Sequence, residues 1–177
     1  LTLLVPNVKG GASVPLSKNE TAMAKANPMY SNIYSQLTQY FGDQPMTSGP
    51  VYVGAFVLFL FVLGLFIVRT PLKWALLGAT VLSVLLSWGH NFMGFTNFFL
   101  DYVPMYAKFR TVASILVIAE FTIPLLAALT LKQIIDESSC LAKNMKYVYV
   151  SFGLTAGVAL IMALLPSMMG PFVSGQE

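Results

Sequence analysis

A chain of 177 residues with 56% hydrophobic and only 10% charged side chains has too little polar surface to cover a globule in water, where about 25% of residues are charged. The formal charge of +3 is small and the cations are scattered, which excludes a nucleic-acid footprint. A single cysteine, Cys140, rules out an internal disulfide, and with one histidine, His90, it argues against a structural zinc site.

Residues 1–48 are the most polar part. Pro6, Gly10-Gly11, Pro15, Pro28 and Pro45 punctuate them, so they read as an extramembrane loop region. One helix is expected there, from Met29 to Phe41, because Tyr30, Ile33, Tyr34, Leu37 and Phe41 recur at helical spacing. Gly10-Gly11 reads as a flexible turn without a phosphate-loop pattern, and Asn19-Glu20-Thr21 matches a glycosylation sequon that is too short to carry weight. The chain opens on Leu1 with no secretory signal pattern, and is expected to be part of a longer polypeptide.

The remainder predicts an all-α transmembrane fold with four spanning helices. Residues 49–68 contain no charge; about 20 such residues at about 1.5 Å each cross a hydrocarbon core of about 30 Å. A short basic hinge from Arg69 to Lys73 leads to a second span at 74–90, with Trp74 and Trp88 near its ends as interface markers. Residues 91–110 are aromatic, interrupted by Gly94 and Pro104, and end in two cations. They predict an interfacial or re-entrant segment, since charged, broken backbone does not face lipid. The third span is expected at 111–131, the fourth at 147–165, and 167–177 form a tail. Lys and Arg crowd the loops 69–73 and 132–146, which four spans place on one side. The positive-inside bias makes that side cytoplasmic and puts the N-terminal loop, the aromatic segment and the tail outside; Lys108 and Arg110 run against this bias.

Chemistry concentrates in the stretch from Asp101 to Arg110. Lys108 and Arg110 suit a phosphate, the arginine as a bidentate fork and the lysine as a point charge, at the start of the third span. The plainer reading of the same two residues, and the commoner one in membrane proteins, is snorkelling to lipid headgroups, with Asp101 pairing one of them. Glu120 is expected deep in the third span, where an ionised carboxylate costs on the order of 2.5–3.5 kcal/mol against lipid and therefore turns to protein or water. It reads either as a proton or substrate contact, or as an acid bonded to a neighbouring helix beside carbonyls that Pro124 frees. His90, at the outer end of the second span, is a general acid–base candidate or a plain hydrogen-bonding group.

The stretches LLVPNVKGGAS at 3–13, GDQPMTSGPVYVG at 42–54, WGHNF at 88–92 and DYVPMYAKFRT at 101–111 together resemble the YfhO-type bacterial membrane proteins, the Bacteroidetes members above all. The most specific element runs from Pro104 to Arg110. That family is similar to the GT-C class of glycosyltransferases. The resemblance implies a multi-pass protein of the bacterial inner membrane. Such a protein takes a sugar from a polyprenyl-phosphate donor and transfers it, on the outer face, to an envelope glycopolymer or lipid. The acidic residues characteristic of the class lie in the first outer loop, near the protein's N-terminus, so this chain matches a later part and Asp101 is not cast as the catalytic base. The roles the resemblance implies are a donor-phosphate clamp for Lys108 and Arg110, with His90, Asp101, Tyr102 and Tyr106 as possible sugar or acceptor contacts. The partners it implies are the lipid bilayer, the polyprenyl-phosphate-linked sugar and the rest of the same polypeptide. No cofactor or metal is legible. A transporter or flippase for a lipid-linked sugar, and a non-catalytic envelope subunit, are the alternatives.

Overall fold

The computed structural model describes residues 3–4, 10–40, 52–89, 93–103, 112–137 and 139–164. The chain divides into two compact units, one of Leu1–Tyr52 with Ala159–Glu177, the other of Val53–Val158.

In the first unit, strand β1 (Gly10–Pro15) pairs antiparallel with β2 (Thr38–Tyr40), Gly10 opposite Tyr40 and Pro15 opposite Thr38 with a register shift between. Leu16 N–H donates to the Leu37 carbonyl at 2.7 Å and closes the ladder. Two single-turn helices, α1 (Glu20–Met23) and α2 (Ser31–Tyr34), lie between the strands. Asn19 caps α1, its side-chain oxygen accepting from Ala22 N–H at 3.1 Å, so the asparagine of the sequon-like triplet has a backbone role. Two expectations are corrected here. Gly10-Gly11 opens a strand, not a turn, and the helix expected from Met29 to Phe41 is one turn that gives way to β2. The cause is tertiary: pairing with β1 outweighs a helical spacing too short to nucleate a stable helix alone.

In the second unit, helices α3 (Ala55–Ile67), α4 (Leu72–Ser87), α5 (Met93–Tyr102), α6 (Leu116–Asp136), α7 (Cys140–Lys143) and α8 (Met145–Leu164) follow one another, α8 running past Val158 into the first. Gly54, at φ 103°, takes a left-handed turn that starts α3, and the backbone turns extended at Val68 to end it. Pro71 opens α4, where its missing N–H would have been unpaired anyway. Lys73 Nζ donates to the Leu65 carbonyl at 2.9 Å and caps the end of α3.

Among the described residues two helices are long and apolar enough to cross a membrane, α6 with 21 residues and α8 with 20; α3 and α4 are apolar but shorter. At about 1.5 Å per residue the first pair reaches about 30 Å, while α3 and α4 reach about 20 and 24 Å. The helices depart from the expected spans in position as well. Alpha-helical geometry starts at Leu116, after a tighter turn at Val112–Ile115, and runs through Lys132 to Asp136, so the expected polar loop begins later than the first charge. A lysine ends an apolar run but not a helix, because its long stem carries the ammonium out to the polar zone. The tail 167–177 lies outside the described residues.

Phe61, Leu63, Ile67, Ile123 and Leu126 form a buried apolar core between α3 and α6, but large apolar side chains also cover the outside and hydroxyls lie within. Phe56, Phe66, Phe121, Leu131 and Phe152 are exposed, whereas Thr80, Ser83, Thr122, Thr130 and Ser151 are buried. Only 33% of the apolar window of α6 and 17% of that of α8 is buried, which leaves much of both helices as exposed apolar surface. Where α3 crosses α6, Gly64 is the close point: a Cβ there would collide with Thr130 Oγ1 and press on Leu126 Cγ at 3.2 Å. Thr130 is fully buried and returns its proton to the Leu126 carbonyl at 2.7 Å. Gly64→Ala is therefore expected to destabilise the unit by about 1–3 kcal/mol. Adding Thr130→Ala should restore most of the loss, read as coupling in a double-mutant cycle of unfolding in detergent; additive losses would show that the two residues do not meet.

Candidate functional site

The residues singled out by sequence fall into two groups. His90, Tyr106, Lys108 and Arg110 lie outside the described residues. Asp101, Tyr102 and Glu120 are described, and all three are exposed.

Asp101 and Tyr102 close helix α5. Gly89, at φ 50°, turns the chain out of α4, and its carbonyl accepts from the buried Thr96 hydroxyl at 2.7 Å, which ties α5 back to the end of α4. The helix carries an aromatic strip. Phe95 meets Phe99 at 5.0 Å between ring centroids, Phe99 meets Phe98 at 5.8 Å, and Phe98 meets Tyr102 at 5.0 Å. Tyr102 stands at the open end of this strip, 74% exposed. A row of aromatic rings with a phenol at its tip suits the boundary between acyl chains and headgroups, and equally suits stacking against the apolar face of a sugar ring. Ten residues of continuous helix occupy what the sequence suggested to be a broken stretch, and Gly94 lies inside that helix without interrupting it.

Glu120 is in the second turn of α6, on the outward side shared with Val117, Phe121 and Leu131, while Ala119, Thr122, Ile123 and Leu126 of the same helix face inward. Because α6 runs on to Asp136, Glu120 is not at its middle. It lies about 6 Å from the Leu116 end and about 24 Å from the Asp136 end. Among the described residues no hydrogen bond or ion pair engages its carboxyl. Pro124 has no N–H to give the carbonyl four residues earlier, which is Glu120's own, so backbone and side chain at one position both offer acceptors. The helix is continuous through Pro124, and the broken helix that would favour a transporter is absent there.

What sequence reasoning missed is the hydroxyl seam that holds the site's supporting helices. Thr80 on α4 and Thr122 on α6 are 2.7 Å apart, oxygen to oxygen, and each also reaches a carbonyl one turn back, Leu76 at 2.7 Å and Ile118 at 2.9 Å. Two protons serve three acceptors, so one proton crosses between helices and the other returns to its own. Ser83 Oγ donates to the Ile115 carbonyl at 2.7 Å, just where α6 begins. The signal was present: Thr80, Ser83 and Ser87 recur at three and four residues on α4, as do Ala119, Thr122, Leu126 and Thr130 on α6.

Among the described residues no group of His, Cys, Asp or Glu is arranged to hold a metal. Comparison with protein-family models, curated proteins and solved structures finds none that matches this chain.

Thr96→Val should remove the tie between α5 and α4 while keeping shape. A loss of about 1 kcal/mol is expected, seen as roughly fivefold faster amide exchange confined to α5. Unchanged exchange there would mean that the aromatic strip, not Thr96, anchors the helix.

Proposed function

We propose that the chain is part of a polytopic protein of the bacterial inner membrane that moves a sugar from a polyprenyl-phosphate donor to an envelope glycopolymer or lipid, in the manner of YfhO-type relatives of the GT-C glycosyltransferases. Four spans cross the bilayer in this reading, α3 and α4 being completed by flanking residues, with α5 at the outer interface. The observation that carries it is the aromatic strip of α5 ending in exposed Tyr102 and Asp101, from which the chain leads directly into Lys108 and Arg110. Such a stretch combines a surface for a sugar ring with a cationic grip for the phosphate at headgroup depth, where a polyprenyl donor holds both. A cationic clamp stabilises the phosphate as it leaves, and so acts on the transition state as well as on binding. The bond that breaks is the one between the anomeric carbon and the phosphate oxygen; the bond that forms joins that carbon to the acceptor hydroxyl, whose proton a base must take. No residue of this chain is assigned as that base.

A transporter for a lipid-linked sugar is the second reading, favoured by the unpaired carboxyl and freed carbonyl of Glu120 on the outward side of α6. Lys108→Ala with Arg110→Ala should abolish sugar transfer while leaving membrane insertion intact, and Glu120→Gln should leave transfer largely unchanged, both read by incorporation of labelled sugar in membrane vesicles. Loss of movement in Glu120→Gln with transfer intact in the double variant would replace the transferase by the transporter. If neither variant changes anything, an envelope subunit without a site of its own is the better description.

The basic turns face the cytoplasm in this reading and residues 1–48 face outward. With Cys140 replaced by serine, Asn32→Cys in an exposed part of the first unit should react with an impermeant thiol reagent added outside intact spheroplasts. Reaction only after lysis would invert the topology.

A further inference from the structure

One end of the second unit collects the charge of the whole chain. Arg69 follows α3, Lys73 stands in the first turn of α4, Lys132 in the last turns of α6, Lys143 on α7 and Lys146 at the start of α8. The turns that carry them are joined directly: Arg69 grips Glu137 with two contacts, Nη1 to Oε1 at 3.1 Å and Nη2 to Oε2 at 3.4 Å. With Asp136 and Glu137 as the acids at this end, these five cations account for the full formal charge of +3; the rest of the chain balances to zero.

Two further features suit this end to headgroup depth. Each of two helix starts pairs a lysine with an aromatic ring, Lys73 Nζ at 5.4 Å from the centroid of Trp74 and Lys146 Nζ at 4.9 Å from that of Tyr147. Tyr147 is in turn stacked flat on Phe66 of α3, centroids 5.1 Å apart and planes 7° from parallel, so the Lys146 pair is held against the bundle. An indole or phenol beside an ammonium is the arrangement that suits the acyl–headgroup boundary. Lys73 spends one proton on the Leu65 carbonyl and has two left. Lys132, Lys143 and Lys146 are exposed and have no acid partner among the described residues. Arg69 is neutralised by Glu137 even though its side chain is 79% exposed, so the free charge belongs to the lysines.

We infer that this basic end is a binding surface for anionic phospholipid headgroups, drawn into one patch by the Arg69–Glu137 bridge, with Lys132, Lys143 and Lys146 as the phosphate-facing cations. The partner is fixed by complementarity: a phosphodiester carries the opposite charge at the depth where these side chains end, while its acyl chains match the exposed apolar residues of α6 and α8, Leu131, Ile135, Tyr149 and Val150 among them. The inference rests on the membrane-spanning part of the reading above and is independent of sugar transfer.

The protein, extracted from membranes and reconstituted in nanodiscs of mixed phosphatidylcholine and phosphatidylglycerol, should retain the anionic lipid preferentially when released into native mass spectrometry. Lys132→Gln, Lys143→Gln and Lys146→Gln together should cut that preference, by roughly fivefold per charge removed. The three changes to Arg should preserve it, as should Lys18→Gln with Lys25→Gln in the first unit. Added salt should weaken it, and inorganic phosphate at equal ionic strength should weaken it no further. Equal preference in the Gln triple variant and the parent would overturn the proposal, as would displacement of the lipid by inorganic phosphate in preference to other anions. Release of the parent protein from native membranes by alkaline carbonate would instead overturn the membrane reading, an outcome separate from both.

Discussion

The close approach of α3 and α4 to α6 is the constraint on which the second unit depends, and it is made from small and hydroxylated residues. Gly64 lets α3 sit against Thr130 and Leu126; Thr80 and Thr122 share a proton between α4 and α6; Ser83 reaches the carbonyl at the start of α6. At so close an approach, contact distance together with satisfied polar groups decides which helix faces pair. The hydroxyls of this seam are satisfied without water: Thr130 donates to its own helix, Ser83 to the Ile115 carbonyl, and of Thr80 and Thr122 one donates to the other and the other to its own helix. Leu63, Ile123 and Leu126 fill the space between these contacts, while other phenylalanines and leucines of α3, α6 and α8 are exposed.

That seam also sets where the residues singled out by sequence lie in the unit. It fixes the start of α6 beside the upper turns of α4, and α4 in turn ends at Gly89, whose carbonyl holds Thr96 of α5. Asp101, Tyr102 and Glu120 thus belong to elements joined at one end of the unit, and the lysines of the basic patch belong to the other. The two ends differ in kind: one is aromatic, with an acid and a phenol exposed, and the other is cationic with aromatic flanks.

Glu120 shows how a single residue's reading depends on where a helix ends. Counted from an expected span at 111–131 it sits at the centre of the bilayer; with α6 running from Leu116 to Asp136 it moves toward the end that α5 occupies. Its position on the outward side, next to Phe121, separates it from the hydroxyl seam on the inward side, so its chemistry is directed away from α3 and α4. Pro124 withholds one backbone donor at the same point without breaking the helix, because the remaining bonds of a long helix carry the backbone across one missing donor.

By itself the sequence determined a mostly helical chain and the gathering of cations in two short turns. Uncharged apolar runs have one economical solution, a helix that satisfies its own backbone, and so helices were legible at 55–67, 72–87, 116–136 and 145–164 to within a few residues at most ends. The pairing of the two basic turns at one end followed from counting helices, and the Arg69–Glu137 contact places them together. Tertiary structure alone decided the rest. Whether Thr38–Tyr40 became strand or helix depended on β1, nearly thirty residues away, since so short a segment has no preference strong enough to resist a partner. The seam of Gly64, Thr80, Ser83, Thr122 and Thr130 was visible as spacing, but which helix each residue faced was not, because spacing defines a face and only packing defines its neighbour. Lys132 stood in the sequence as the edge of a loop, and the fold made it part of a helix and one of the cations of a shared patch, a role set by side chains from three other helices.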